Sequence, residues 1–186
     1  MPPPEPVHDH SNLSDAARVV VMGVSGCGKT TLAEALGATL DWHVLDADDL
    51  HPATNVAKMR EGTPLTDADR QPWLQAVGEA LIAPLTGSSG RVVACSALKL
   101  AYRERIRSLA APLQFVFLDG PAELIEQRMA LRTGHYMHPE LLASQLRALE
   151  RPGADEHDVV RIDINRPVGQ LLAAALAALQ ADGATA

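Results

Sequence analysis

Gly23, Gly26, Gly28, Lys29 and Thr30 hold every fixed position of the pattern G-x-x-x-x-G-K-[ST], here GVSGCGKT. Glycines at those places let a short loop turn tightly and bring backbone N–H groups, those of Ser25 and Cys27 among them, up to a phosphate without Cβ clashes. The Lys29 ammonium can then reach β- and γ-phosphates, while the Thr30 hydroxyl is a hard oxygen ligand for Mg²⁺. The helix beginning near Lys29, with Thr31 in its first turn, points its free N–H groups and positive dipole end at the same place. A Gly-rich turn that binds nothing is the competing reading. It leaves unexplained why both flanks are also right.

Asp46, Asp48 and Asp49 follow a short apolar segment, at what would be the carboxyl end of a strand. Open α/β sheets place their ligands there. One carboxylate beside Thr30 suits Mg²⁺, and the Cys95-Ser96 pair supplies none where a P-loop protein usually has an Asp, so the metal role points to Asp46. Asp48 could accept a substrate hydroxyl proton. Which of the two is base and which faces the metal stays open, as does the plainer possibility that these acids only cap a helix. Arg128 and Arg132 lie four apart, on one helix face leading into Thr133–Pro139. They fit a pair that neutralises a transferring phosphoryl group, or a solvated basic face. His51, Asn55, Lys58, Arg60, Asp67, Asp69, Arg70 and Trp73 form a polar run suited to an acceptor substrate or to a solvated helix surface. The seven histidines lack metal-ligand spacing, His135 and His138 included, so no zinc site is expected.

These groups need a scaffold that alternates strands and helices. Val19–Met22 reads as a buried strand and residues 29–40 as a helix. Trp42–Asp46, Arg91–Ser96, Leu113–Leu118 and Val159–Ile164 read as further strands. Helices are expected near 53–60, 69–85 (capped by Thr66 or Asp67), 100–109, 121–131, 140–150 and 169–179. Such alternation means a parallel sheet covered on both faces. Residues 1–15 are proline-rich and polar and read as a disordered tail, leaving one domain over 16–183.

A net charge of −7 without a basic face speaks against nucleic-acid binding. The longest apolar run, Leu171–Leu179, is too short to span a membrane. Two cysteines and no leader pattern suit a soluble, cytoplasmic protein.

Four blocks carry a closer likeness: GVSGCGKTT, then LDADDLHPATNVAKMREGTPLTDADRQPWL (45–74), CSALKLAYRERIR (95–107) and LIEQRMALRTGHYMHPELLASQLRALERP (124–152). Together they resemble the small P-loop gluconokinases, relatives of shikimate and adenylate kinases, and the second block is the specific one. The resemblance implies ATP- and Mg²⁺-dependent phosphorylation of D-gluconate to 6-phospho-D-gluconate by a homodimer. It implies a three-layer α/β fold with a five-stranded parallel sheet of order 2-3-1-4-5, an acceptor region near 48–88 and a lid near 128–140. It makes Lys29, Asp48, Arg128 and Arg132 catalytic candidates. Asp48, His51, Lys58, Arg70 and His135 become gluconate-side candidates, Thr30 and Asp46 metal-side ones, and Asn165 and Pro167 part of the adenine loop. Ala47 departs from the family, which often has Gly there; the methyl is expected to be tolerated unless the site needs a positive φ. Cys27 is a second departure, and its side chain is not expected to carry chemistry. A kinase for another hydroxy acid such as shikimate, a nucleoside monophosphate kinase and an ATP-binding regulator are the competing functions.

Overall fold

The computed structural model describes residues 17–131 and 139–183. Five strands, β1 (Ala17–Met22), β2 (His43–Asp46), β3 (Gly90–Ala94), β4 (Gln114–Asp119) and β5 (Val159–Asp163), form one sheet. All pairings are parallel and the order is β2-β3-β1-β4-β5. Among the described residues seven α-helices connect or follow them: α1 (Lys29–Leu40), α2 (Ala53–Arg60), α3 (Asp67–Ile82), α4 (Leu100–Ala110), α5 (Ala122–Ala130), α6 (Pro139–Ala148) and α7 (Val168–Gly183). This is the expected three-layer P-loop kinase architecture.

Each face of the sheet has its own core. Val19, Val21, Val92, Val116 and Leu118 pack with Leu32 and Leu36 of α1, Leu142 of α6 and Leu171 of α7. Val20, Met22, Val93, Phe115 and Phe117 pack with Trp73 and Val77 of α3 and Ile106 of α4. The alternation of strand residues between these two clusters is the period of two that covers a parallel sheet on both sides.

Element ends differ from expectation for local reasons. α3 stops at Ile82 rather than Leu85, because Ala83 precedes Pro84 and takes an extended conformation. Its start is a capping box: the Thr66 side chain accepts the Asp69 N–H while the Asp69 carboxylate accepts the Thr66 N–H. Trp42 lies just outside β2, its N–H on the Gly37 carbonyl at 3.0 Å. Gly90 makes room for its indole, since a Cβ there would meet the ring at 2.4 Å.

Candidate active site

β1 runs through buried Val20, Val21 and Met22 and delivers the chain into the glycine loop at the carboxyl edge of the sheet. Gly23 donates its N–H to the Ser96 carbonyl at 3.3 Å, which ties the loop to the end of β3. Gly26 (φ 82°) has neither the dihedral nor the room for a side chain, because a Cβ would lie 2.5 Å from the Met129 side chain. Gly28 (φ 102°) has open space around it, so there the backbone angle alone excludes other residues. Gly28 also caps α1 with no side-chain acceptor, leaving helix N–H groups for a ligand. Cys27 is buried in the core, and burial pushes its thiol pKa up. The Lys29 ammonium rests 3.0 Å from the Val24 carbonyl, on the loop itself.

The strand-end acids divide their work. The Asp46 Oδ2 accepts the Thr30 hydroxyl at 3.1 Å, and its Oδ1 accepts the Asp48 N–H at 3.0 Å. Asp46 is thus the cap of the 3₁₀ turn Ala47–Leu50 as well as the neighbour of Thr30. The Asp48 carboxyl is not the cap. Burial raises its pKa, with Asp46 adding to the shift, while Lys29 and His51 pull it back. A carboxylate kept above its ordinary range is suited to taking a proton. Ala47 sits in the 3₁₀ turn and is fully buried, and among the described residues the positive-φ non-glycine ones are Asp41 and Ala97. Its methyl is therefore accommodated in the core.

The acceptor side is built from α2 and α3. Trp73 donates its indole N–H to the Ala47 carbonyl at 2.7 Å and stacks on the His51 ring, 4.6 Å between centroids. That wall lowers the His51 pKa, burial being the larger cause and Arg70 a smaller one. Buried Asn55 donates to the Asp69 carbonyl at 2.8 Å and joins α2 to α3. Lys58 pairs with Asp69 at 2.7 Å, and with Thr66 it holds that carboxyl down at about 2. Arg70 differs: it donates to the Leu65 carbonyl, lies 5.9 Å over the Tyr102 ring, and makes no salt bridge among the described residues. Asp67, which the chain order places in the same run, is bound by Lys99 at 2.7 Å and by the Tyr102 hydroxyl.

On the other side of the loop an open cavity of about 340 Å³ is lined by Gly26, Gly28, Thr31, Arg128, Arg166, Pro167 and Leu171. Arg128 donates to the Ile164 carbonyl at 2.7 Å, so it ties α5 to the loop after β5. Pro167 lines the cavity. Asn165 is not among its lining residues and gives its N–H to Asp163 at 2.9 Å. Arg132 and His135 lie outside the described residues, as does most of the expected lid. Arg166, Gln145 and Arg103 are additions that reasoning from the sequence missed. Gln145 reaches Ser25 from α6, and Arg103 holds the Ala97 and Leu98 carbonyls of the strained turn after β3, where Ala97 has φ 42°. Gln145 did have a signal: it stands between Leu142 and Leu146 on the apolar side of α6.

Comparison with known proteins is consistent with this geometry. Residues 19–152 match a family model described as an AAA domain. A thermosensitive gluconokinase from Escherichia coli is 45% identical over 152 residues, 82% of this chain and 81% of its own length. A gluconokinase from Gluconobacter oxydans is 48% identical over 77% of this chain and 80% of its own. Among solved structures, a gluconokinase from Sinorhizobium meliloti superposes with a TM-score of 0.82 at 43% identity, covering 91% of this chain and 94% of that one.

Proposed function

The chain belongs to the gluconokinase family, and from that premise we propose how its own residues carry the transfer of the terminal phosphoryl group of ATP to D-gluconate, giving 6-phospho-D-gluconate. The observation that carries this reading is the meeting of three groups at one strand edge. The glycine loop with Lys29, the Thr30–Asp46 pair and the partly desolvated Asp48 carboxyl all lie there, with the cavity on one side and the His51–Trp73 wall on the other.

P-loop kinases in general use ATP with Mg²⁺. The oxygen pair Thr30 Oγ1 and Asp46 Oδ2, 3.1 Å apart, fits that ion, which prefers a few hard oxygen ligands and keeps several waters. Thr30 and Asp46 would hold it, and when bound it neutralises charge on the phosphates. The loop N–H groups and Lys29 grip the phosphate chain, Lys29 leaving the Val24 carbonyl to do so. The base of the nucleotide occupies the cavity between the loop and Arg166, Pro167 and Leu171, with Arg128 keeping the Ile164 loop in place. Arg70, which holds no carboxylate among the described residues, is available to the gluconate carboxylate. Asp48 orients the acceptor hydroxyl in line with the γ-phosphate and takes its proton late in the transfer.

Turnover with Mg-ATP against gluconate, shikimate, glycerate and AMP tests the assignment. Gluconate alone should be phosphorylated at an enzymatic rate. Turnover of another acceptor with none for gluconate would overturn it.

A further inference from the structure

Ser25 and Gln145 are 120 positions apart in the chain and meet at two points. The Gln145 Oε1 accepts the Ser25 backbone N–H at 2.6 Å, and its Nε2 donates to the Ser25 hydroxyl at 3.1 Å. Gln145 is three residues after buried Leu142 and one before Leu146, so packing of the apolar stripe aims its carboxamide inward at the loop. The residue before Ser25 is engaged as well, since the Val24 carbonyl accepts the Lys29 ammonium at 3.0 Å.

The cation of the loop and one of its N–H donors are therefore both held by protein oxygens. These are the kinds of group that a phosphate chain takes in a loop of this pattern. A carboxamide oxygen on a loop N–H has the acceptor geometry of a phosphate oxygen without its charge. We propose that Gln145 is a competitor built into the enzyme for the terminal phosphates of ATP. It occupies Ser25 while the nucleotide is absent, and the nucleotide displaces it and releases α6 from the loop. The inference rests on the reading of Gly23–Thr30 as the ATP site.

Displacement has a strict consequence. A contact made only in the nucleotide-free form stabilises that form, and it weakens nucleotide binding by the same factor. A brace that merely shapes the loop for phosphate would act with the opposite sign, because its loss would weaken binding. The sign of one change in affinity thus separates the two roles.

The test is calorimetric titration of the full chain with the non-hydrolysable analogue AMPPNP and Mg²⁺, for the wild type and Gln145→Ala, with thermal melting of both. Loss of about one net hydrogen bond should tighten AMPPNP binding about 3- to 10-fold in the variant. The variant should melt lower than the wild type without nucleotide, and the gap should close at saturating AMPPNP. Gln145→Met, which keeps the length of the side chain, should behave like the alanine variant if the void in α6 is not the cause. Gln145→Glu should weaken AMPPNP binding, because its carboxylate holds the N–H more tightly and repels phosphate. Unchanged or weaker binding in both neutral variants, or a melting gap that persists at saturation, overturns the proposal. A wild type that binds no AMPPNP overturns it together with the ATP-site reading, whereas a wild type that binds and variants that do not differ overturn it alone.

Discussion

Two regions of the molecule are dense in charge, and they treat it in opposite ways. Behind the sheet edge, Arg103 is wholly buried and uses all its nitrogens: Nε and Nη2 on Glu156, both at 2.6 Å, and Nη1 on the Ala97, Leu98 and Glu150 carbonyls. Arg107 joins the same Glu156 at 2.8 Å and Asp158 at 2.7 Å. Every partner is present, and the Glu156 carboxyl is accordingly held down at about 2, chiefly by Arg103. At the candidate active site, Lys29 has only a carbonyl as hydrogen-bond partner among the described residues, and Asp48 sits partly desolvated beside another acid with its pKa raised. Paired charges fix a scaffold, while charges held at a cost and left incomplete are the ones a ligand completes.

The sharpest way to break this contrast is Lys29→Met. Turnover should fall by roughly 10³, about 4 kcal/mol of transition-state stabilisation, with the melting temperature nearly unchanged. Near wild-type turnover, or an unfolded chain, would place Lys29 with the scaffold charges instead.

Arg103→Met is the reverse experiment. It leaves Glu156 buried without its main partner and should destabilise the fold by about 3 kcal/mol in denaturant unfolding. Turnover per folded molecule should change less than tenfold. A large loss of turnover with stability intact would mean that the network serves the chemistry directly.

Acid should reach the network through Glu156. Its folded pKa of about 2 is below the ordinary 4.5, so the stability it contributes is complete above about 4.5 and is lost as pH falls toward 2. Unfolding followed against pH should show a smaller loss over that range in Glu156→Gln. An equal loss would assign the acid sensitivity to other carboxylates.

The smallest effect tests a scaffold device inside the acceptor region. Thr66→Ala removes the side chain of the capping box that starts α3 and should cost about 1 kcal/mol of stability. The KM for gluconate should barely move. A strong rise in KM would show that the start of α3 has little freedom to shift without harming the site.

Much of this was legible in the chain. The glycine loop announced itself because its chemistry is local: eight consecutive residues set the turn, the helix end and the cation. The strands and their parallel arrangement followed from apolar runs alternating with helical ones, and the sheet order came from the family likeness. Asp46 and Asp48 were readable as a pair, but their division of labour was not, since it depends on which carboxylate oxygen meets Thr30 and which caps the 3₁₀ turn. Lys58 read as an acceptor-side cation and is found paired with Asp69. Contacts between distant segments left almost no local trace. Gln145 reaches across 120 positions to Ser25, and Lys99 across 32 to Asp67, so only the folded sheet edge brings them together. The positive φ of Ala97 was equally hidden, because nothing in an alanine marks the backbone angle that Arg103 helps to hold.

The proton acceptor is where the contrast between the two regions can be decided. The pH dependence of kcat/KM for gluconate should be measured for the wild type and for Asp48→Asn, which keeps the shape of the side chain but cannot take the proton. In the wild type activity should fall on the acid side through a pKa above the ordinary 3.8 of an aspartate, because burial and Asp46 hold the Asp48 carboxyl up. In Asp48→Asn that acid limb should vanish and the plateau should drop by roughly 10²- to 10⁴-fold, with ATP affinity little changed. An Asp48→Asn enzyme that keeps both the limb and wild-type turnover would contradict the assignment of Asp48 as the base.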